Sequence, residues 1–198
     1  IYILLDGSHS MQSKFLYAKQ LAAALGYIAL NTLDRLCVYG LADHLNPILE
    51  TCRGRGNVMP FLRSLEEAET FGHDTDFTTC TREFQARHRR KGMIVVVSDF
   101  LFPSGFEEGL KFLQWNKHDV FCLQVQDDND QKCDWKGDVD LHCVETNQTQ
   151  RVTVTAREAK QYEQAVADWN QGLYKSCKQR DIGIASTTTE RPFEDIIR

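Results

Sequence analysis

The sequence predicts a doubly wound α/β fold around a mainly parallel sheet, and three features carry that prediction. Continuous apolar runs such as Ile1-Tyr2-Ile3-Leu4-Leu5 and Met93-Ile94-Val95-Val96-Val97 lack the alternation of a half-exposed strand, so they suit strands buried on both faces. These runs alternate with segments whose apolar residues recur at helical spacing. Two of them end abruptly in polar residues, Asp6-Gly7-Ser8-His9-Ser10 and Ser98-Asp99, at the carboxyl ends of strands where open α/β sheets gather ligands. Strand–helix alternation of this kind implies right-handed crossovers and helices on both faces of the sheet.

The elements follow in order. After the strand at 1–5, Phe15, Leu16, Ala18, Leu21, Ala22, Leu25, Ile28 and Ala29 mark a helix from Ser13 to Leu33, with Gly26 inside it as a point of close packing on the sheet. Arg35 to Ala42 reads as the second strand. Asn46-Pro47-Ile48-Leu49 reads as a short edge strand, because proline is tolerated at an edge. A second helix runs from about Asn57, a candidate cap, to Ala68. The polar loop Asp74-Thr75-Asp76-Phe77 then leads into a third helix ending near Arg90. There the basic run Arg87-His88-Arg89-Arg90-Lys91 would complement the negative end of the helix dipole before Gly92.

The strand at 93–97 comes next, then the turn Phe102-Pro103-Ser104-Gly105, a helix to about Asn116 and a strand from Asp119 to Val125. The segment from Gln126 to Thr155 differs in character: it carries Asp127, Asp128, Asp130, Asp134, Asp138 and Asp140 and then alternates as Val152-Thr153-Val154. It reads as a solvated acidic loop and a β-hairpin inserted near 127–154. A long amphipathic helix from Ala156 to Gln179 places Tyr162, Ala165, Val166, Trp169, Leu173 and Tyr174 on its apolar side. A last strand at Ile182 to Ala185 and a short closing helix from Pro192 to Ile197 complete the order.

With 198 residues the chain suits one domain spanning 1–198. Because it opens inside a core strand without Met, the expectation is a fragment of a longer chain whose N-terminal part is absent, which leaves a membrane anchor undecided. The formal charge of −5 disfavours nucleic acid as a partner. No run reaches the roughly 18 apolar residues that span a bilayer. Seven cysteines without a C-x-x-C pair, and without a signal peptide, point to reduced thiols and a cytoplasmic location. Cys37 and Cys122 fall in strand runs as core fillers, and Cys133, His142 and Cys143 fit no standard zinc spacing.

The polar strand ends carry the chemistry. Asp6, Ser8 and Ser10 give a D-x-S-x-S pattern of one carboxylate and two hydroxyls, with neither lysine nor thiol among residues 6–10. That describes a hard-cation site better than a phosphate cradle. Thr75 and Ser98-Asp99 lie on two further loops at the same end of the sheet. The competing structural reading is that Ser10 or Ser13 simply caps the first helix. His9 reads as a bystander, because imidazole suits zinc or copper better than magnesium. His44 reads as a surface residue, and His73 and Asp74 as shaping the Thr75 loop. Neither a G-x-S-x-G nor a Walker A sequence occurs.

Leu4-Leu5-Asp6-Gly7-Ser8-His9-Ser10-Met11, Leu25-Gly26-Tyr27-Ile28-Ala29-Leu30, Asp34-Arg35-Leu36, Thr75-Asp76-Phe77, Val97-Ser98-Asp99-Phe100-Leu101 and the Tyr162 helix resemble the bacterial DUF58 proteins. These are a von Willebrand factor A-like family often associated with MoxR-type AAA+ ATPases. The resemblance implies a metal-ion-dependent adhesion site made of Asp6, Ser8, Ser10, Thr75 and Asp99. Ser8 and Ser10 would ligate the ion directly, Thr75 directly or through water, and Asp6 and Asp99 through bound waters or as outer acceptors. Magnesium is the implied ion, with manganese or calcium as alternatives, and a protein partner would supply an aspartate or glutamate as the remaining ligand.

The implied function is a non-enzymatic, metal-dependent interaction module, an accessory or adaptor of a MoxR-type AAA+ ATPase. Two competitors remain at this stage. A metal-dependent phosphohydrolase would use Asp6 as nucleophile, but Ser8 stands where such enzymes want a second aspartate and no suitably placed lysine precedes Asp99. A structural scaffold would never engage metal.

Overall fold

The computed structural model describes residues 1–70, 75–127, 130, 132–133, 135, 137–142, 149–193 and 195. Strand β1 (Tyr2–Asp6) leads through a 3-10 turn (His9–Met11) into α1 (Phe15–Asn31). Then come β2 (Arg35–Leu41), β3 (Leu45–Arg53), α2 (Val58–Glu67), α3 (Phe77–Arg87), β4 (Met93–Ser98), α4 (Glu107–Gln114) and β5 (Asp119–Gln126). The chain continues through β6 (Gly137–His142), β7 (Thr149–Val154), α5 (Ala156–Gln179) and β8 (Gly183–Thr188).

Six strands form one sheet in the order β3-β2-β1-β4-β5-β8, and every pairing is parallel except β2 with β3. This is the doubly wound, mainly parallel α/β fold that the apolar runs predict. The inserted hairpin is also present, as the separate antiparallel pair β6-β7.

Alternation along the buried strands divides the interior into two cores. Leu4, Cys37, Tyr39, Ile94, Val96 and Cys122 pack with Phe77, Phe84, Leu110, Leu113 and Leu173 of α3, α4 and α5. Ile3, Leu5, Leu36, Val38, Val95, Val97 and Leu123 pack on the other face with Phe15, Leu21 and Leu30 of α1 and Phe61 and Leu65 of α2. Each strand side chain therefore meets a helix whichever way it points, which is why these strands are apolar throughout.

Several boundaries differ from the sequence expectation. The edge strand β3 runs nine residues rather than four, because it pairs along nearly all of β2, with register shifts near Val38. Helix α3 stops at Arg87, so Arg89, Arg90 and Lys91 lie beyond it and only Arg87 sits in its last turn. Leu16 of α1 is 67% exposed and off the sheet-facing side.

The largest departure is α5. Of its expected apolar side only Leu173 is buried, while Tyr162 and Tyr174 are 44% and 57% exposed. A helix of 24 residues is about 36 Å long, whereas the six-residue β8 it accompanies spans about 20 Å. Its last turns, with Leu173, Ser176 and Cys177, therefore cover the sheet and the rest extends past it. A capping box of Thr155 and Glu158 holds the far end. Among the described residues no helix is long and apolar enough to cross a membrane.

Close packing at Gly26 is real. A Cβ there would lie 2.3 Å from the Phe61 ring and 2.9 Å from Leu36. Phe61 is fully buried and has nowhere to retreat. Gly26→Ala should therefore destabilise the protein by about 1–3 kcal/mol, despite the helix propensity it gains. A lowered thermal midpoint checks this.

A second expectation concerns His88, whose ring lies against Tyr2 and Phe84 and whose Nε2 is 2.8 Å from the Tyr39 hydroxyl. Burial, and then the nearby His118 and Arg87 charges, hold this imidazole below its ordinary value. The folded state thus binds fewer protons than the unfolded chain, and stability falls as pH drops below about 6.5. Urea unfolding of wild type and His88→Gln across that range should show a shallower acid loss in the variant.

Candidate functional site

The polar cluster sits where the sheet reverses direction. From β1 the chain moves to β2 on one side and returns through β4 on the other, the switch point at which open α/β sheets generally form a ligand crevice. Asp6 ends β1, and the parallel register of Leu5 with Val97 brings Ser98 level with it. Ser98 Oγ donates to Asp6 Oδ2 at 2.6 Å. On Oδ1, Asp6 accepts the Ser8 backbone N–H at 3.1 Å and the Thr75 hydroxyl at 3.2 Å. The Ser8 and Ser10 hydroxyls lie 3.0 Å apart.

Each loop is fixed by local structure. The Asp76 N–H donates to Ala42 O at 3.0 Å, tying the Thr75 loop to the chain leaving β2. Asp76 also caps α3, accepting the Thr79 N–H at 2.9 Å and its hydroxyl at 2.6 Å. Phe77 is buried against Gly109, where a Cβ would fall 2.3 Å from its ring. After β4, Phe100 adopts φ 60, a left-handed conformation that bulky residues avoid. Its N–H bonds Ser98 Oγ at 2.8 Å, and its carbonyl accepts the Trp169 indole N–H at 3.0 Å.

Asp99 is held on both oxygens. Oδ1 accepts the Leu101 N–H at 3.0 Å, and Oδ2 receives Lys14 Nζ at 2.7 Å. Lys14 is itself only 1% exposed, and its ammonium reaches Asp130 Oδ2 at 2.7 Å as well. Burial alone would lower the Lys14 pKa, but Asp99 and Asp130 outweigh it and hold the amine above its ordinary value. Asp6, also 1% exposed, is pushed up to about 6 by burial and by the Asp99 charge, against hydrogen bonds from Ser98 and Ser8.

Of the five residues proposed from sequence, Asp6, Ser8, Ser10 and Thr75 are joined by hydrogen bonds in one cluster with Ser98, while Asp99 follows Ser98 in the chain and pairs with Lys14. The capping alternative is not realised. Neither the 3-10 turn nor α1 has a side-chain cap, and Ser13 Oγ donates instead to Asp127 Oδ2 at 2.8 Å. His44 is exposed and pairs with Glu83 at 3.0 Å. The acidic segment is not simply solvated, because Asp127 and Asp130 turn inward to Ser13 and Lys14. His73, Asp74, Asp128, Asp134, Cys143 and the side chain of His142 lie outside the described residues, as do residues 194, 196 and 197 of the closing helix expected at 192–197.

Two participants escaped the sequence reading. Ser98 was seen only as a neighbour of Asp99. Lys14 was not singled out, although it stands at the inward-facing helical interval from Tyr17, Ala18 and Leu21, all of them buried. A charged residue on that stripe is itself a signal.

The donors suit a hard cation. Among the described residues no group of three His, Cys, Asp or Glu side chains could hold a metal, so an ion here would rest on hydroxyls with carboxylates behind them. Adjacent ligands on an octahedral magnesium, bonded at 2.0–2.1 Å, are separated by about 2.9 Å. The Ser8 and Ser10 hydroxyls, hydrogen-bonded to each other at 3.0 Å, are separated by about the length of that edge.

Comparison with known proteins adds to this picture. The family model described as "Protein of unknown function DUF58" matches residues 2–171. An uncharacterized protein of Mycobacterium avium, MAV169, is 28% identical over 124 residues, which is 62% of this chain and 73% of that protein. The conserved hypothetical protein BatB from Bacteroides thetaiotaomicron has a similar structure, with TM-score 0.57 and 16% identity over 98% of this chain and 93% of its own. An aerotolerance-related membrane protein from Bacteroides fragilis NCTC 9343 gives TM-score 0.52 and 16% identity over 88% of this chain and 98% of its own. At such identities the structural likenesses show a common fold.

Ser98 offers a direct test of the cluster's cohesion. Ser98→Ala would leave Asp6 Oδ2 without its donor and the Phe100 N–H without its acceptor. The expected loss is about 1–3 kcal/mol, read as a lower urea midpoint at unchanged slope.

Proposed function

The chain belongs to the DUF58 family, and on that footing we propose that it is a non-enzymatic, metal-dependent protein-interaction module. Ser8 and Ser10 would hold a magnesium ion through their hydroxyls, with manganese or calcium as substitutes, and Thr75 would close the set directly or through water. Asp6 and Asp99 would act behind them as acceptors. When bound, the ion supplies a hard Lewis acid that attracts a carboxylate, because neutral hydroxyl ligands leave most of its charge uncompensated. A protein partner would provide that aspartate or glutamate, and the partner class we assign is a MoxR-type AAA+ ATPase. We place this encounter in the cytoplasm, in keeping with the free thiols of Cys37, Cys52, Cys80, Cys122, Cys133 and Cys177.

The observation that carries this reading is the pair of serine hydroxyls at the spacing of an octahedral edge, backed by a carboxylate whose oxygens already accept three donors. The same bonds weigh against a phosphohydrolase. A nucleophilic Asp6 would need a free oxygen facing the crevice, yet it is buried and both its oxygens are engaged.

Manganese titration of wild type and Ser8→Ala/Ser10→Ala, followed by calorimetry, tests the ion. Loss of both hydroxyls should weaken binding by about tenfold or more while the fold persists. Identical affinities would remove the site. Capture of the ATPase should be abolished by EDTA and restored by magnesium, and capture indifferent to chelator would return the protein to the scaffold reading.

A further inference from the structure

Lys14 gives the site a positive charge of its own. Its side chain is buried to the same degree as that of Asp99, and its ammonium sits 2.7 Å from Asp99 Oδ2 and 2.7 Å from Asp130 Oδ2. The remaining oxygen of Asp99 is taken by the Leu101 N–H, and the oxygens of Asp6 by Ser8, Thr75 and Ser98. The polar side chains are satisfied as they stand: no described buried side-chain nitrogen or oxygen lacks a hydrogen-bond partner.

A divalent ion at the Ser8–Ser10 hydroxyls would meet this arrangement at a disadvantage. Asp99, the carboxylate that would offset part of its charge, is already neutralised by an ammonium at contact distance, and that ammonium also repels the incoming cation.

We propose that Lys14 is a resident cation of the site, competing with the divalent ion for Asp99 and setting how tightly that ion is held. The inference rests on the ion-binding reading above and adds a specificity-determining residue to it. Asp130 is the carboxylate that keeps the ammonium in place on the other side, so the segment after β5 takes part in tuning the site.

The test is the charge-balanced variant Lys14→Met/Asp130→Asn, which removes one positive and one negative charge together and leaves Asp99 free. Manganese should bind this variant at least about tenfold more tightly than wild type, and should raise its thermal midpoint further. Equal or weaker binding by a folded variant overturns the role of Lys14 while leaving the ion site standing. No response to manganese in either protein overturns the ion-binding reading and this inference with it.

A second measurement does not need the variant. In wild-type protein labelled with 15N-lysine, saturation with magnesium should shift the Lys14 ammonium resonance and speed its proton exchange, as Asp99 turns toward the ion. A Lys14 signal that stays unmoved at saturation refutes the competition.

Discussion

A carboxylate buried at the end of a central strand must find its hydrogen bonds inside the protein or lose its charge, and the arrangement around Asp6 follows from that requirement. Its three donors come from three separate stretches of chain: its own loop through Ser8, the loop before α3 through Thr75, and the end of β4 through Ser98. Water cannot replace them, because Asp6 is almost entirely enclosed. The register of β1 with β4 and the anchoring of Asp76 on Ala42 are therefore parts of one geometric solution. The even division of the interior into two cores makes that solution possible, since it packs both faces of the central strands and holds their ends level.

The second constraint is electrostatic. Burial and then the Asp99 charge make ionisation of Asp6 costly. Lys14 answers part of it from α1, and Asp130 balances Lys14 from the segment after β5. A buried charge of this kind is seldom retained for stability alone, because apolar residues of similar size often serve as well.

Much of the fold was legible in the sequence because the strands are buried on both faces and so read as unbroken apolar runs. The D-x-S-x-S loop and Asp99 were legible because oxygen-bearing side chains stand at strand ends, where the fold class gathers ligands, whereas Thr75, on the loop before α3, was legible through the family resemblance. Lys14 is hard to see in the sequence because it follows the polar residues Gln12 and Ser13. Only its phase relative to Ala18 and Leu21 shows that it faces inward. The outward stretch of α5 was misread for the opposite reason. Tyr162 and Val166 keep a perfect helical interval, but periodicity reports which side of a helix is apolar, not whether the sheet reaches far enough to cover it. The basic run after Phe84 was assigned to a helix end on composition, whereas the helix stops at its first member.

The contact between Trp169 and the Phe100 carbonyl has a practical consequence. Phe100 follows Asp99 directly, so an indole on the longest helix is wired by a hydrogen bond to the backbone next to the polar cluster. Its ring also stacks edge-on against Phe106 at 5.4 Å, which limits its freedom. Trp115 and Trp135 are exposed, so solvated-indole emission is expected of them. Any rearrangement of the Asp99 loop would alter the surroundings of Trp169 first, giving the protein a built-in fluorophore whose emission wavelength follows events at the strand ends.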